Sequence, residues 1–317
     1  MTITDSRQFQ SIEQRQSTDQ LQERLRLVPS VSITNSRDLY ASSESLSLLK
    51  IDSPLCDAVI AIQGAQLLAF TPKDAQPWLW LSPKAIFSEN KPIRGGIPVC
   101  APWFGVNQQD PTKPKHGFVR NRQWQLVHAT ENKQHEVELT FRVRTNEDDL
   151  PLYSHAFSLD LVITLSKQID ISFSVQNLSR TPMPFSWALH SYFCVDSLEA
   201  VAVEGLDQST YLDATDQFSV IKQEGAVQFS SEVDRVYENV DSQQTITGNP
   251  CLSITGQDCP TAIIWNPGEK LAHTMADITA NHYAEYICVE RGAAFSNTWE
   301  VTPEKPLSAT LSITARR

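Results

Sequence analysis

The sequence predicts an all-β fold, a large antiparallel β-sandwich with few short helices. Three observations point there. Short apolar runs recur at roughly ten-residue spacing from Ser43 onward, bounded by Gly, Pro, Asp and Asn. Several alternate strictly, as in Val137, Leu139, Phe141 and Val143, which makes one face of the strand apolar. Helical periodicity is weak everywhere after Val28. Strands in such number bury their apolar faces most simply between two packed sheets.

Taken in order, residues 1–28 are polar and Gln-rich and read as an extension to a single domain over 29–317. A short helix is expected from Thr18 to Leu27, with Leu21, Leu25 and Val28 on one side. Leu46 to Lys50, Ala58 to Ile62, Leu67 to Phe70 and Trp78 to Leu81 form the first apolar segments. Strands then follow over Gln123–Ala129 and Glu136–Arg144, and Phe157–Lys167 with Ile169–Asn177 reads as a hairpin. Trp187–Val195, Ala200–Val203, Val227–Phe229, Thr245–Thr247, Leu252–Thr255, Ala262–Trp265, Tyr286–Glu290 and Leu307–Thr314 complete the set. Met275–Tyr283 reads as a short helical turn, and Trp265 to Gly268 as a strand entering a turn.

The chain has 317 residues, 41% hydrophobic and 20% charged, which is enough for a substantial core. Its net charge of -11 argues against nucleic acid as a partner, because a polyanion needs a basic face. An anionic substrate must therefore meet a local positive patch. The six cysteines form no CxxC pair, and most sit in apolar runs, so reduced, buried thiols in a cytoplasmic protein are expected. No secretory signal is visible at the N-terminus, and no apolar run is long enough for a membrane helix. A monomer is expected.

The stretch Ile93–Arg122, IRGGIPVCAPWFGVNQQDPTKPKHGFVRNR, is the best candidate for that patch. It holds Arg94, Lys113, Lys115, Arg120, Arg122 and His116. Its four prolines exclude a regular helix, and Gly95-Gly96 allows positive φ and close approach to a ligand. A stiff, folded-back loop can hold Arg94 and Arg120 for bidentate contact with phosphate or carboxylate. Each arginine taken alone reads equally as the partner of a carboxylate within the fold.

Two strands offer acid/base groups. In PFSWALHSYFCV, Trp187, Leu189 and Phe193 share a core-like face, and His190 lies on the other, more polar face with Ser186, Ala188 and Tyr192. In EYICVERG, Glu290 falls at the end of a nearly apolar strand, near a turn. A histidine and a partly buried glutamate can form an acid/base pair. Alone, His190 reads as a structural histidine and Glu290 as an ion-pair partner. Asp234 sits in a loop before Val236-Tyr237, as a sugar-hydroxyl ligand or a turn former. The histidines show no metal-ligand spacing, and no phosphate-loop, GxSxG or dinucleotide fingerprint is present.

Together RGGIPVCAPWFG, HGFVRNRQW, SWALHSYFCV, DRVYENV, WNPGEK and YICVERG resemble the glucose-6-phosphate 1-epimerases of the aldose 1-epimerase superfamily, from about Ser43 to Ile313. The resemblance implies a galactose mutarotase-like supersandwich, no cofactor, and interconversion of the α and β anomers of a hexose 6-phosphate. It implies His190 and Glu290 as catalytic residues, Arg94 and Arg120 as phosphate ligands, and His116 and Asp234 as further substrate contacts. The chain departs from the family at Ala101, Val119, Ser191, Gly268 and Arg291. Of these, Val119 and Arg291 are expected to bear on sugar choice or on the charge around Glu290. The implied mechanism takes the C1 hydroxyl proton with Glu290 and protonates the ring oxygen from His190. Alternatives from other classes are a non-catalytic sugar-phosphate sensor, an epimerase of free aldoses, and a glycan-cleaving sandwich.

Overall fold

The computed structural model describes residues 16–278 and 281–316. Two eight-stranded antiparallel sheets dominate. The back sheet runs Val203–Glu204, Gln243–Ile246, Leu252–Gln257, Leu307–Ala315, Ile169–Asn177, Phe157–Leu165, Val137–Arg144 and Gln125–Glu131. The front sheet runs Ser219–Lys222, Thr210–Asp213, Val233–Tyr237, Thr261–Asn266, Tyr286–Ala293, Trp187–Leu189 and Val99–Cys100, with Tyr192–Cys194 also paired to Tyr286–Ala293. A four-stranded meander, Val31–Asn35, Ser47–Asp52, Cys56–Ala61 and Gln66–Pro72, adds to the same core.

The alternation seen in the sequence sorts the front sheet's side chains. Trp187, Leu189, Phe193, Val289, Ile287, Ile264 and Tyr237 enter the main core, where Phe173 stacks on Trp187 with centroids 4.0 Å apart. Their neighbours Ala188, Val236, Ile263, Cys288, Tyr192 and Trp265 form smaller clusters on the opposite face. That second face carries the site. It is buried, not the polar, open face the sequence suggested: Ala188 and Tyr192 are as inaccessible as the core side chains.

The helix over Thr18–Leu25 ends two residues earlier than expected, and Leu21, Leu25 and Val28 all join the main core. Ser17 caps it with a reciprocal Ser17–Gln20 box. Residues 1–15 of the polar extension lie outside the described residues. The predicted strand Trp187–Val195 breaks into Trp187–Leu189 and Tyr192–Cys194 because the His190 N–H bonds to Pro98 O, 3.0 Å, from the arginine-bearing loop. Glu290 is not at a strand end; its strand runs on to Ala293. Asp234 lies within the strand Val233–Tyr237, opposite Trp265, rather than in a loop. Val227 makes only an isolated bridge to Val203, and Trp78–Leu81 is held by bridges alone. The strand ending at Asn266 leads into a helical turn, Gly268–Ala272, and Met275–Tyr283 makes turns up to Ile278 before Thr279 and Ala280, which lie outside the described residues.

Glycines let the loop Ile93–Arg122 pack backbone to backbone. Gly117, φ +68°, lies so close to Ala101 that an added Cβ would overlap the Ala101 carbonyl. Gly105, φ +73°, faces open space. Left-handed φ costs an L-residue roughly 1–2 kcal/mol. Gly105→Ala is therefore expected to lose about that much, and Gly117→Ala clearly more, since the overlap adds to the same strain. Urea unfolding of the two variants measures the difference; equal losses would rule out the close approach.

Candidate functional site

Register brings the acid/base candidates together. Trp187–Leu189 pairs with Tyr286–Ala293 as Leu189 to Arg291, and Tyr192 to Cys288, so His190 falls beside Glu290. His190 Nε2 lies 3.3 Å from Glu290 Oε1. The imidazole stacks on Tyr192, centroids 4.7 Å apart and planes 8° from parallel, with Trp265 edge-on. His190 is 7% exposed and Glu290 1%. His190 Nδ1 and Glu290 Oε2 have no hydrogen-bond partner among the described residues.

Burial sets the protonation of the pair. Desolvation lowers the His190 pKa well below the ordinary histidine value, and Arg94, Arg120 and Lys115 push it the same way. Desolvation raises the Glu290 pKa well above the usual carboxylate range; Asp234 adds to this, while Lys115 and Arg120 oppose it. Both shifts favour the uncharged forms, because the two groups lose their hydration on burial.

The arginine loop arches over this pair. Arg94 pairs with Asp277 (Nε to Oδ2, 2.9 Å), and its Nη1 donates to the Tyr192 hydroxyl at 2.9 Å. Arg94 thus has the carboxylate partner that its plainer reading supposed, while also touching the ring stacked on His190. Arg120 donates from Nη2 to Lys115 O, 2.8 Å, and its Nε is buried without a partner among the described residues. His116 has left-handed φ, +66°, and its ring stands edge-on to His190 at 5.6 Å. Its Nδ1 accepts from the Gly105 N–H, and burial, then Arg120, lowers its pKa well below normal. Arg122, by contrast, is taken up by an ion pair with Asp149 and lies over the Phe118 ring.

Asp234 shares the site face with Cys288 and Trp265 through the row Asp234–Trp265–Cys288. Burial raises its pKa to about 6. Arg291 points the other way. Its guanidinium donates to Cys259 O, Asp241 O, Ser242 O and Gln244 Oε1, so it does not set the charge around Glu290 as the sequence suggested.

Sequence reasoning missed two participants and one close neighbour. Tyr192 was placed on the right face without a role; it links Arg94 to His190. Asp277 lay in the expected turn Met275–Tyr283, with nothing to mark it as the partner of Arg94. Cys288 looked like core, yet its sulfur lies within 4.8 Å of ligand atoms of His190 and Glu290. Only Cys288's place two residues before Glu290, on one face of one strand, could have signalled this.

The family model described as aldose 1-epimerase matches residues 47–314. An Escherichia coli K12 protein provisionally named glucose-6-phosphate 1-epimerase is 33% identical over 273 residues, covering 85% of this chain and 90% of its own. A Salmonella typhimurium relative with the same provisional name is 32% identical, covering 86% and 92%. The crystal structure of a provisionally assigned Salmonella typhimurium mutarotase superposes with a TM-score of 0.83 at 30% identity, over 92% of this chain and 95% of that one. A galactose mutarotase-related protein from Lactobacillus acidophilus, 17% identical with a TM-score of 0.66, shares the fold over 84% of this chain and 97% of its own. The chain belongs to the aldose 1-epimerase family.

Proposed function

We propose that the protein interconverts the α and β anomers of a hexose 6-phosphate, glucose 6-phosphate first among them, by acid/base ring opening and closure. One observation carries this. His190 Nδ1, Glu290 Oε2 and Arg120 Nε are buried polar atoms without partners among the described residues, and the Arg120 charge acts on both His190 and Glu290. Leaving such a group unpaired costs about 1–3 kcal/mol. The hydroxyls and phosphate oxygens of a sugar phosphate supply the missing partners. The names of the relatives above point to the same substrate.

Ring opening removes the C1 hydroxyl proton and adds one to the ring oxygen. Glu290 as carboxylate takes the first, and His190 as imidazolium gives the second. One proton shared by the pair is enough, and the working form is the one in which it lies on His190, across the 3.3 Å contact from Glu290. Arg94, Arg120 and Lys115 oppose a proton on His190. A phosphate dianion held by the same groups offsets their field, so it both orients the sugar and primes the acid. The open aldehyde turns about C1–C2, and closure on the other face reverses the roles. Atoms and charge balance with these two residues and no cofactor. His116 and Asp234 contact sugar hydroxyls. All the side chains come from one chain, so a monomer suffices. The six free cysteines fit a reducing cytoplasm.

Exchange NMR on the anomeric protons of glucose 6-phosphate, beside free glucose and galactose, tests the reaction. Faster exchange for the 6-phosphate alone is expected. Acceleration of the free sugars instead would make the protein an epimerase of unphosphorylated aldoses, and binding without acceleration would make it a sensor. In Glu290→Gln, kcat is expected to fall by about 10²–10⁴ while sugar phosphate still binds; full activity would exclude Glu290 as the base.

Arg120→Ala removes a charge-assisted contact of about 1.5–3 kcal/mol, so hexose 6-phosphate affinity is expected to drop roughly tenfold to a hundredfold or more. Free hexose affinity should hardly change, and calorimetry that finds equal losses would count against the clamp.

The Asp234 charge helps hold the proton on Glu290. Asp234→Asn removes that help, so the pair loses its proton at lower pH. The alkaline limb of the kcat/KM profile is expected to move to lower pH. A limb that stays in place would show that Asp234 acts only on binding.

A further inference from the structure

We propose that His190, Cys288 and Glu290 form a capture site for a thiophilic divalent metal ion, Zn2+ above all, which occupies the acid/base pair and stops turnover. The metal site stands on geometry; its inhibitory effect rests on the acid/base reading above. The nitrogen, sulfur and carboxylate ligand atoms all lie within 4.8 Å of one another, and all three residues are buried. Cys288 and Glu290 are two positions apart on one strand and so face the same way, and His190 enters from the neighbouring strand segment.

Tetrahedral zinc bonds its ligands at about 2.0–2.3 Å, which sets them roughly 3.3–3.8 Å apart. The His190–Glu290 contact already measures 3.3 Å. The Cys288 sulfur, within 4.8 Å of both ligand atoms, closes by up to about 1–1.5 Å to reach that spacing. A second observation is independent of spacing: His190 Nδ1 and Glu290 Oε2 have no partner among the described residues, so the side chains can turn towards an ion without breaking a bond of their own at those atoms. Three protein ligands leave a fourth position for water, as in open zinc sites. A mixed imidazole, thiolate and carboxylate set favours Zn2+ or Co2+ over Mg2+ or Ca2+.

The exchange balances. Cys288 gives up its thiol proton, and the proton shared by His190 and Glu290 leaves with it to solvent. Ligands hold such an ion in their deprotonated forms, so its uptake releases protons. Cys288 has no part in ring opening, which separates metal capture from catalysis by mutation.

The test uses the whole protein after chelator treatment. Adding Co2+ is expected to give one equivalent of a thiolate-to-cobalt charge-transfer band, displaced by Zn2+. Cys288→Ala and Cys288→Ser, each first shown by thermal unfolding with chelator to be folded, are expected to lose the band and at least about tenfold in Co2+ affinity. In wild type, Zn2+ should suppress hexose 6-phosphate anomer exchange in step with occupancy; in both variants exchange should persist at that concentration. Absence of the band at saturating Co2+, a band unchanged in the variants, or equal Zn2+ inhibition of variants and wild type would each overturn the site. The band is read without substrate, so a failure of anomer exchange leaves the metal result standing.

Discussion

The contact between His190 and Glu290 is the constraint to which the rest of the site answers. Two ionisable groups lie 3.3 Å apart where neither holds a charge cheaply. In water such a pair would separate its charges and gain little. Out of water, charge separation is expensive until counter-charges are in place. The surrounding side chains keep the pair dry: Ala188, Ile263, Val236 and Tyr192 are all buried on the same face. Tyr192 adds direction, because its ring fixes the imidazole plane while its hydroxyl receives Arg94.

The backbone serves that contact. A continuous strand through His190 would have spent its N–H on the sheet ladder. The break at His190-Ser191 sends that N–H to Pro98 instead, and Ser191 still accepts from Val289 N at 3.2 Å. The loop that carries the cations is thereby bound to the chain at His190. Glycines at 96 and 117, both with left-handed φ, let the loop lie directly on the Leu67 and Ala101 carbonyls. Rigid anchoring of this kind keeps Arg94 and Arg120 at a fixed distance from the pair without a dense set of side-chain bridges.

Much of this was legible in the sequence, and the failures have a common cause. Period-two alternation separated Trp187 and Leu189 from His190 correctly, because residue order on a strand fixes the face. It could not tell that both faces were covered, since the cover comes from distant segments: Phe104 over Ala188, and the turn with Ala272 and Ile278 over Cys288. Asp234 was misplaced because its strand is short and its pairing comes from farther along the chain: the partner strand Thr261–Asn266 draws Val233–Tyr237 into the sheet. Arg94 gave two readings, ion pair and ligand clamp, and its bond to Asp277 meets the first.

Arg291 shows how narrowly a strand divides its tasks. It follows Glu290 directly, yet alternation sends its guanidinium between the sheets, 1% exposed, to the carbonyls of Asp241, Ser242 and Cys259. No carboxylate answers it among the hydrogen bonds described there, and burial lowers its pKa. Neutral acceptors carry the whole solvation of that charge, which is tolerable only because they converge from two turns. Gly256 makes room, since a side chain there would meet Arg291 Cζ at 3.2 Å. The result ties the turns beside Gln243–Ile246 and Leu252–Gln257 of the back sheet to the strand that holds Glu290. Arg291 therefore bears on how firmly Glu290 is held, not on the field it feels.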